Sequence, residues 1–226
     1  MRGKANKSTM TFYGPSESKF TRHYQEEVEM VFSGIDCVLN GEKALYCSSE
    51  LTTGVRLYEA LRDHGVKTAS ELKMKLGPEW FQSNIFEANM RAAMDFAKSV
   101  REGLGNSTMA ITPAPFAARD WSQPEYLGFW ETLIRTRIKS VWFNHNWQYS
   151  NGCAFEFAVA LHAGVPTMDC CGDALGSEKA IQLLEGAVDR LSTEEFDTTK
   201  LRETLSRLYE TVMQAGNSPA LPAAEK

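Results

Sequence analysis

Short apolar runs alternate with longer stretches of helical periodicity through the middle of the chain, and this alternation restricts the fold more than any other feature. Ala44–Cys47, Thr108–Thr112 (cut off by Pro113 and Pro115), Ser140–Phe143 and Val165–Met168 read as strands. Between and after them, helical spacing runs over 55–64, 84–102, 126–138, 153–162, 178–191 and 198–214, with Gly65, Gly103, Gly105 and Gly164 as stops. Tyr24–Phe32 reads as one further short helix. Short strands separated by helices indicate a parallel sheet covered on both faces. The expected fold class is α/β, a doubly wound sheet of about five strands with extra C-terminal helices. The expected boundaries are a partly helical N-terminal extension over 1–42, the sheet domain over 43–175, and C-terminal helices with an Ala/Pro-rich tail over 176–226.

The chain of 226 residues is long enough to bury a substantial core. Its 24 Lys+Arg against 29 Asp+Glu leave a net charge of −5, and its pI is near 5.5. That balance argues against stable nucleic-acid binding or polybasic membrane association, both of which need a positive field. No apolar run approaches the roughly 20 residues that span a bilayer. Met1–Lys7 is basic but no apolar stretch follows, so it does not read as a secretory signal, and a cytoplasmic protein is expected. Polar residues 1–20 are expected to fray. Cys37, Cys47, Cys153, Cys170 and Cys171 are odd in number and contain no CxxC, which predicts free thiols and no zinc site. Adjacent Cys170 and Cys171 should point to opposite sides of an extended chain and serve packing.

In an open parallel sheet, ligands bind beyond the C-terminal ends of the strands. Three polar loops fall there. Ser48-Ser49-Glu50-Leu51-Thr52-Thr53-Gly54 offers hydroxyls and a helix N-terminus to a phosphate or sugar, or else simply caps that helix. Pro113–Trp121 carries Arg119 and Asp120 beside an aromatic ring, or is a surface turn. Asn144–Gly152 leaves a buried strand and enters CAFEFAVALHA, an apolar helix with a single carboxylate, Glu156. That carboxylate either complements the helix dipole in about the first turn or is a partly buried cleft acid between Phe155 and Phe157. Ser48, Ser150 and Asn151 are its expected hydrogen-bond donors.

These residues resemble a known family. Tyr46 through Gly54 is similar to the first-strand loop of the nucleoside 2-deoxyribosyltransferase-like superfamily, and Pro113–Trp121 to its third-strand segment. Trp147-Gln148-Tyr149-Ser150-Asn151-Gly152-Cys153-Ala154-Phe155-Glu156 resembles its W-x-x-S-x-G-[AT]-x-x-E signature, with Cys153 in place of Ala or Thr. Ala160, Gly164 and Pro166 match the A-x-x-x-G-x-P that follows. The resemblance implies a Rossmann-like (flavodoxin-like) sheet over 43–175, cleavage of an N-glycosidic bond, and Glu156 as nucleophile. It also implies substrate contacts from Tyr46, Ser48, Ser49, Thr52, Thr53, Gly54, Arg119, Asp120, Asn144, Trp147, Ser150, Asn151 and Gly152. Where members carry an acid before the fourth strand, this chain has Arg137-Ile138-Lys139-Ser140; Glu131, earlier in that helix, is the nearby second catalytic candidate. No metal or cofactor is implied, and a homo-oligomer is.

The activity expected is hydrolysis, or transfer, at the glycosidic bond of a nucleoside or nucleoside 5′-monophosphate. The hydroxyl-rich first loop together with Arg119 favours the monophosphate and hydrolysis. The competing readings are a non-catalytic nucleotide sensor of the same fold and a helical interaction protein built on the C-terminal helices.

Overall fold

The computed structural model describes residues 22–105, 108–118 and 120–216; the polar segment 1–20, Arg119 and the Ala/Pro-rich tail lie outside the described residues. The elements run α1 (Arg22–Leu39), β1 (Ala44–Ser48), α2 (Val55–Asp63), α3 (Ala69–Leu76), α4 (Pro78–Phe81), a π-helical turn (Gln82–Phe86), α5 (Glu87–Leu104) and β2 (Ala110–Ile111). Then follow α6 (Gln123–Arg137), β3 (Ile138–Phe143), a 3₁₀ turn (Trp147–Tyr149), α7 (Asn151–Ala163), β4 (Thr167–Met168), α8 (Ser177–Thr193) and α9 (Thr199–Gly216).

The strands form one sheet in the order β2-β1-β3-β4, with every pairing parallel. The strand count among the described residues is therefore four, where about five are expected from the sequence. Because the chain leaves β1 for one neighbour, β2, and returns on the other side as β3, the order reverses between β1 and β3. That reversal is the switch point at which such Rossmann-like sheets bind ligands.

Side chains of β1 alternate between two apolar clusters. Leu45 and Cys47 meet Phe96 and Val100 of α5, while Ala44 and Tyr46 join the larger cluster built with α6 and α7. Both faces are thus covered, and all of β1 is buried. The larger cluster also takes in Phe32 and Leu39 of α1, Leu184 and Val188 of α8, and Leu201 and Leu208 of α9, so the flanking helices share the sheet's core.

Helices α1 and α3 differ from the sequence pattern. α1 runs through Gly34 to Leu39, well past Phe32, because Ile35 and Leu39 pack on the core and tertiary burial outweighs one glycine. α3 is not apparent from periodicity because it buries only Leu72. Its start is nonetheless signalled: the Thr68 hydroxyl accepts from the Glu71 amide at 3.1 Å, and the Glu71 carboxylate accepts from the Lys67 amide at 2.8 Å.

Phe129 of α6 joins distant parts of this core. Its ring stacks on Phe32 at 4.9 Å and on Phe116 at 4.9 Å, and meets Trp121 edge-on at 5.4 Å. Truncating it leaves a cavity touching α1, α6 and the loop after β2. Phe129→Ala should lower the unfolding free energy by about 3–5 kcal/mol, read from urea denaturation. A loss under about 1 kcal/mol would mean that the ring stack does not hold these segments together.

Candidate active site

The site begins with the alternation of β1. Period-two geometry places Tyr46 and Ser48 on the same face of the strand, the face on which α7 lies. α7 starts at Asn151, capped by the Ser150 hydroxyl, which accepts from the Cys153 amide at 3.4 Å. From this helix the Glu156 side chain reaches back to the strand. The Tyr46 hydroxyl donates to its Oε1 at 2.7 Å and the Ser48 hydroxyl to its Oε2 at 2.6 Å. Ser48 is the last residue of β1, so the carboxylate sits at the C-terminal edge of the sheet, beside the switch point.

Glu156 is 5% exposed, and burial pushes its carboxyl up to about 7 despite the two hydroxyls, which favour the anion. The sequence pattern suggests a first-turn position with help from free helix amides. The structure corrects this: α7 opens at Asn151, so Glu156 is its sixth residue and lies in the second turn, beyond the unpaired N–H groups. Of the three expected donors, Ser48 bonds the carboxylate, whereas Ser150 and Asn151 are occupied elsewhere. The Asn151 amide donates to Thr53 Oγ1 at 3.1 Å, and Thr53 Oγ1 lies 3.4 Å from Ser150 Oγ. Tyr46, expected among the substrate contacts, supplies the second hydrogen bond instead.

The first loop is held from behind. Asn89 of α5, buried, donates to the Leu51 carbonyl at 3.0 Å and accepts from Arg56 Nε at 2.9 Å. Glu50 turns back on the loop, and its Oε2 accepts from the Val55 amide at 2.9 Å, at the start of α2. Burial raises the Glu50 carboxyl. Glu156, Glu50, Ser48 and Ser150 all act on the buried Cys153 thiol, which burial and the two carboxylates raise. The first loop meets the first turn of α7 through Thr53, which bonds the Asn151 amide and approaches Ser150. Neither Glu50 nor Asn89 stands out in the sequence as a site residue. A carboxylate four residues before Gly54 at a helix start is the available signal for Glu50. Nothing local marks Asn89.

The other expected site residues divide. Ser49 is buried and its hydroxyl has no partner among the described residues, Thr52 is exposed, and Gly54 is buried at the start of α2. Asn144 continues the β1–β3 ladder, its amide donating to the Ser48 carbonyl at 3.0 Å, while its side chain accepts from the His145 amide at 2.8 Å. Trp147 is a core residue beneath the loop, stacked on Phe157 at 5.1 Å and against Phe143 at 5.0 Å. Gly152 is half-buried in the first turn of α7. Asp120 is exposed with φ 68°, and the neighbouring Trp121 anchors to Glu27 of α1, its Nε1 donating at 2.6 Å. Glu131 is buried on α6 and paired with Arg135 at 2.9 Å, whereas the bonds to Glu156 come from Tyr46 and Ser48.

The two adjacent cysteines also differ from expectation. Residues 169–172 turn rather than extend, which brings Cys170 Sγ within 3.9 Å of Cys171 Sγ and 3.2 Å of His145 Nδ1. Among the described residues no three His, Cys, Asp or Glu side chains converge to hold a metal ion, and no helix is long and apolar enough to cross a membrane.

Compared with protein-family models, with curated proteins and with solved structures, the chain matches none. Fold and site together define a Rossmann-like α/β protein with a buried carboxylate at the sheet's switch point.

The raised pKa of Glu156 has a consequence for stability. In the folded chain the carboxyl keeps its proton up to about 7, whereas the unfolded chain releases it near 4.5. Between these values the folded state holds more protons, so stability falls as pH rises from about 4.5 to about 7 and stays lowered above. Glu156→Gln removes this dependence. Its urea midpoint relative to wild type should shift in its favour between pH 4.5 and pH 8; an unchanged difference would mean that Glu156 is ionised without penalty.

Proposed function

We propose that this chain cleaves the N-glycosidic bond of a nucleoside or nucleoside 5′-monophosphate, with Glu156 as the nucleophile and water as the acceptor. The observation that carries the reading is the Glu156 carboxylate itself. It is buried at the C-terminal edge of β1, oriented by two hydroxyls from one strand, and has no cation among the described residues paired with it. A purely structural acid in an apolar helix is ordinarily matched by a cation, because an unpaired buried charge is costly. The resemblance of Trp147–Glu156 to the deoxyribosyltransferase-like signature supports the same assignment.

The chemistry follows from the geometry. Tyr46 and Ser48 fix the rotation of the carboxylate. One oxygen attacks the anomeric carbon as the bond to the base breaks, the bonding electrons leaving with the base, which takes up a proton. Covalent capture divides a difficult displacement into two steps, as in retaining glycosidases. Water then hydrolyses the glycosyl ester and regenerates Glu156; a second base arriving first would give transfer.

Base release from a panel of nucleosides and monophosphates, read by chromatography, tests the proposal. Glu156→Gln should stay folded and bind ligand but lose at least about a hundredfold in rate, the scale on which a positioned carboxylate acts. Glu156→Asp should also be slow, because shortening the side chain spoils the attack geometry. Near-normal release by Glu156→Gln would assign the nucleophile elsewhere. Equal ligand binding by both forms with no release from either would favour a nucleotide sensor.

The pH profile is a second check. Attack needs the anion, so kcat/KM should rise with pH and level off above about 7, where Glu156 loses its proton. A profile flat from pH 5 to pH 8 would be incompatible with a nucleophile buried in this way.

A further inference from the structure

We propose that Glu50 restricts the site to substrates with an uncharged 5′-hydroxyl, so that nucleosides are accepted and their 5′-monophosphates are rejected. The inference rests on the glycosidic reading above and narrows its substrate class. It departs from the monophosphate preference that the hydroxyl-rich first loop suggests by composition alone.

A phosphate in such a fold ordinarily sits on free amides at a helix N-terminus. Two helices, α2 and α7, begin in the loops that follow β1 and β3 at the C-terminal edge of the sheet. At the start of α2 a carboxyl group is already in place, because Glu50 Oε2 accepts from the Val55 amide at 2.9 Å. The backbone is shaped around it. Gly54 adopts φ 137°, and a Cβ there would lie 1.8 Å from Glu50 Oε2, so only glycine lets the carboxylate lie against the chain. At the start of α7, two of the first three amides are spoken for: Asn151 donates to Thr53 Oγ1 and Cys153 to Ser150 Oγ. The chain's own acceptors thus occupy amides that a phosphate would use.

Charge argues in the same direction. Thr53 Oγ1 lies 3.4 Å from Ser150 Oγ, which brings the loop that carries Glu50 against the start of the helix that carries Glu156, so a ligand at this junction stands near two carboxylates. The cation closest to Glu50 in sequence, Arg56, donates its Nε to Asn89 and its charge acts on Glu50 itself, so it is already matched by this carboxylate. A phosphate brought here would add further negative charge, whereas a hydroxyl adds none. The buried Ser49 hydroxyl, without a partner among the described residues, is a neutral group that a ligand hydroxyl can satisfy. Rejection by a like charge is how a site discriminates between ligands that share all their other contacts.

The test compares kcat/KM for nucleosides and their 5′-monophosphates, with ligand-induced shifts in melting temperature as a binding readout independent of turnover. Wild type should favour nucleosides by at least about tenfold, and Glu50→Gln should reduce that ratio by about tenfold. Gln retains an acceptor for the Val55 amide while removing the charge, so the loop is kept. Wild type that prefers monophosphates would overturn the inference, as would a ratio unmoved by Glu50→Gln. If neither class of compound is cleaved or raises the melting temperature, the glycosidic reading itself falls, and this inference with it.

Discussion

The two hydrogen bonds from Tyr46 and Ser48 to Glu156 tie the central strand to the helix that follows its neighbour. A buried carboxylate without a cation is tolerated only when its oxygens are hydrogen-bonded, and here both donors come from one face of β1. The contact therefore sets the position of α7 against β1, and with it the position of the Ser150 cap and the loop before it. Burial still dominates the electrostatics, so the carboxyl is held near neutrality rather than as a committed anion.

Around this contact the molecule has an aromatic wall and a polar rim. Trp130 lies 5.8 Å from the Tyr46 ring and meets Phe116 and Phe129, which continue into the stack on α1. The wall packs against the tyrosine ring, which is fully buried. The rim is the first loop, anchored by Asn89 beneath Leu51 and by Glu50 at the start of α2. Rigid packing thus lies on one side of the carboxylate and hydrogen-bonded loop backbone on the other.

Patterns that repeat along the chain are legible in the amino-acid sequence. Ala44–Cys47 and Ser140–Phe143 read as strands because buried parallel strands are short and apolar, and α7 reads as a helix around one anomalous acid. Sequence and structure diverge where local pattern is weak or where the chain turns. β2 and β4 are only two residues each, so pattern alone overestimates their length; the four apolar runs it marks are the four strands, and the expected fifth rests on the usual size of such sheets. Cys170 and Cys171 would diverge on an extended backbone, and a turn brings them together.

Local composition determined that Glu156 is the single carboxylate of an apolar helix that follows a buried strand, since helix period and strand alternation are properties of neighbouring residues. Tertiary structure alone decided its partners. Tyr46 and Ser48 are 110 and 108 residues away, and no local rule reports which distant hydroxyl meets which acid. It decided as well that Trp121 anchors to Glu27 of α1 and that Asn89 of α5 holds the Leu51 carbonyl. Such choices depend on which surfaces the core brings face to face, and that is settled by the packing of the whole chain.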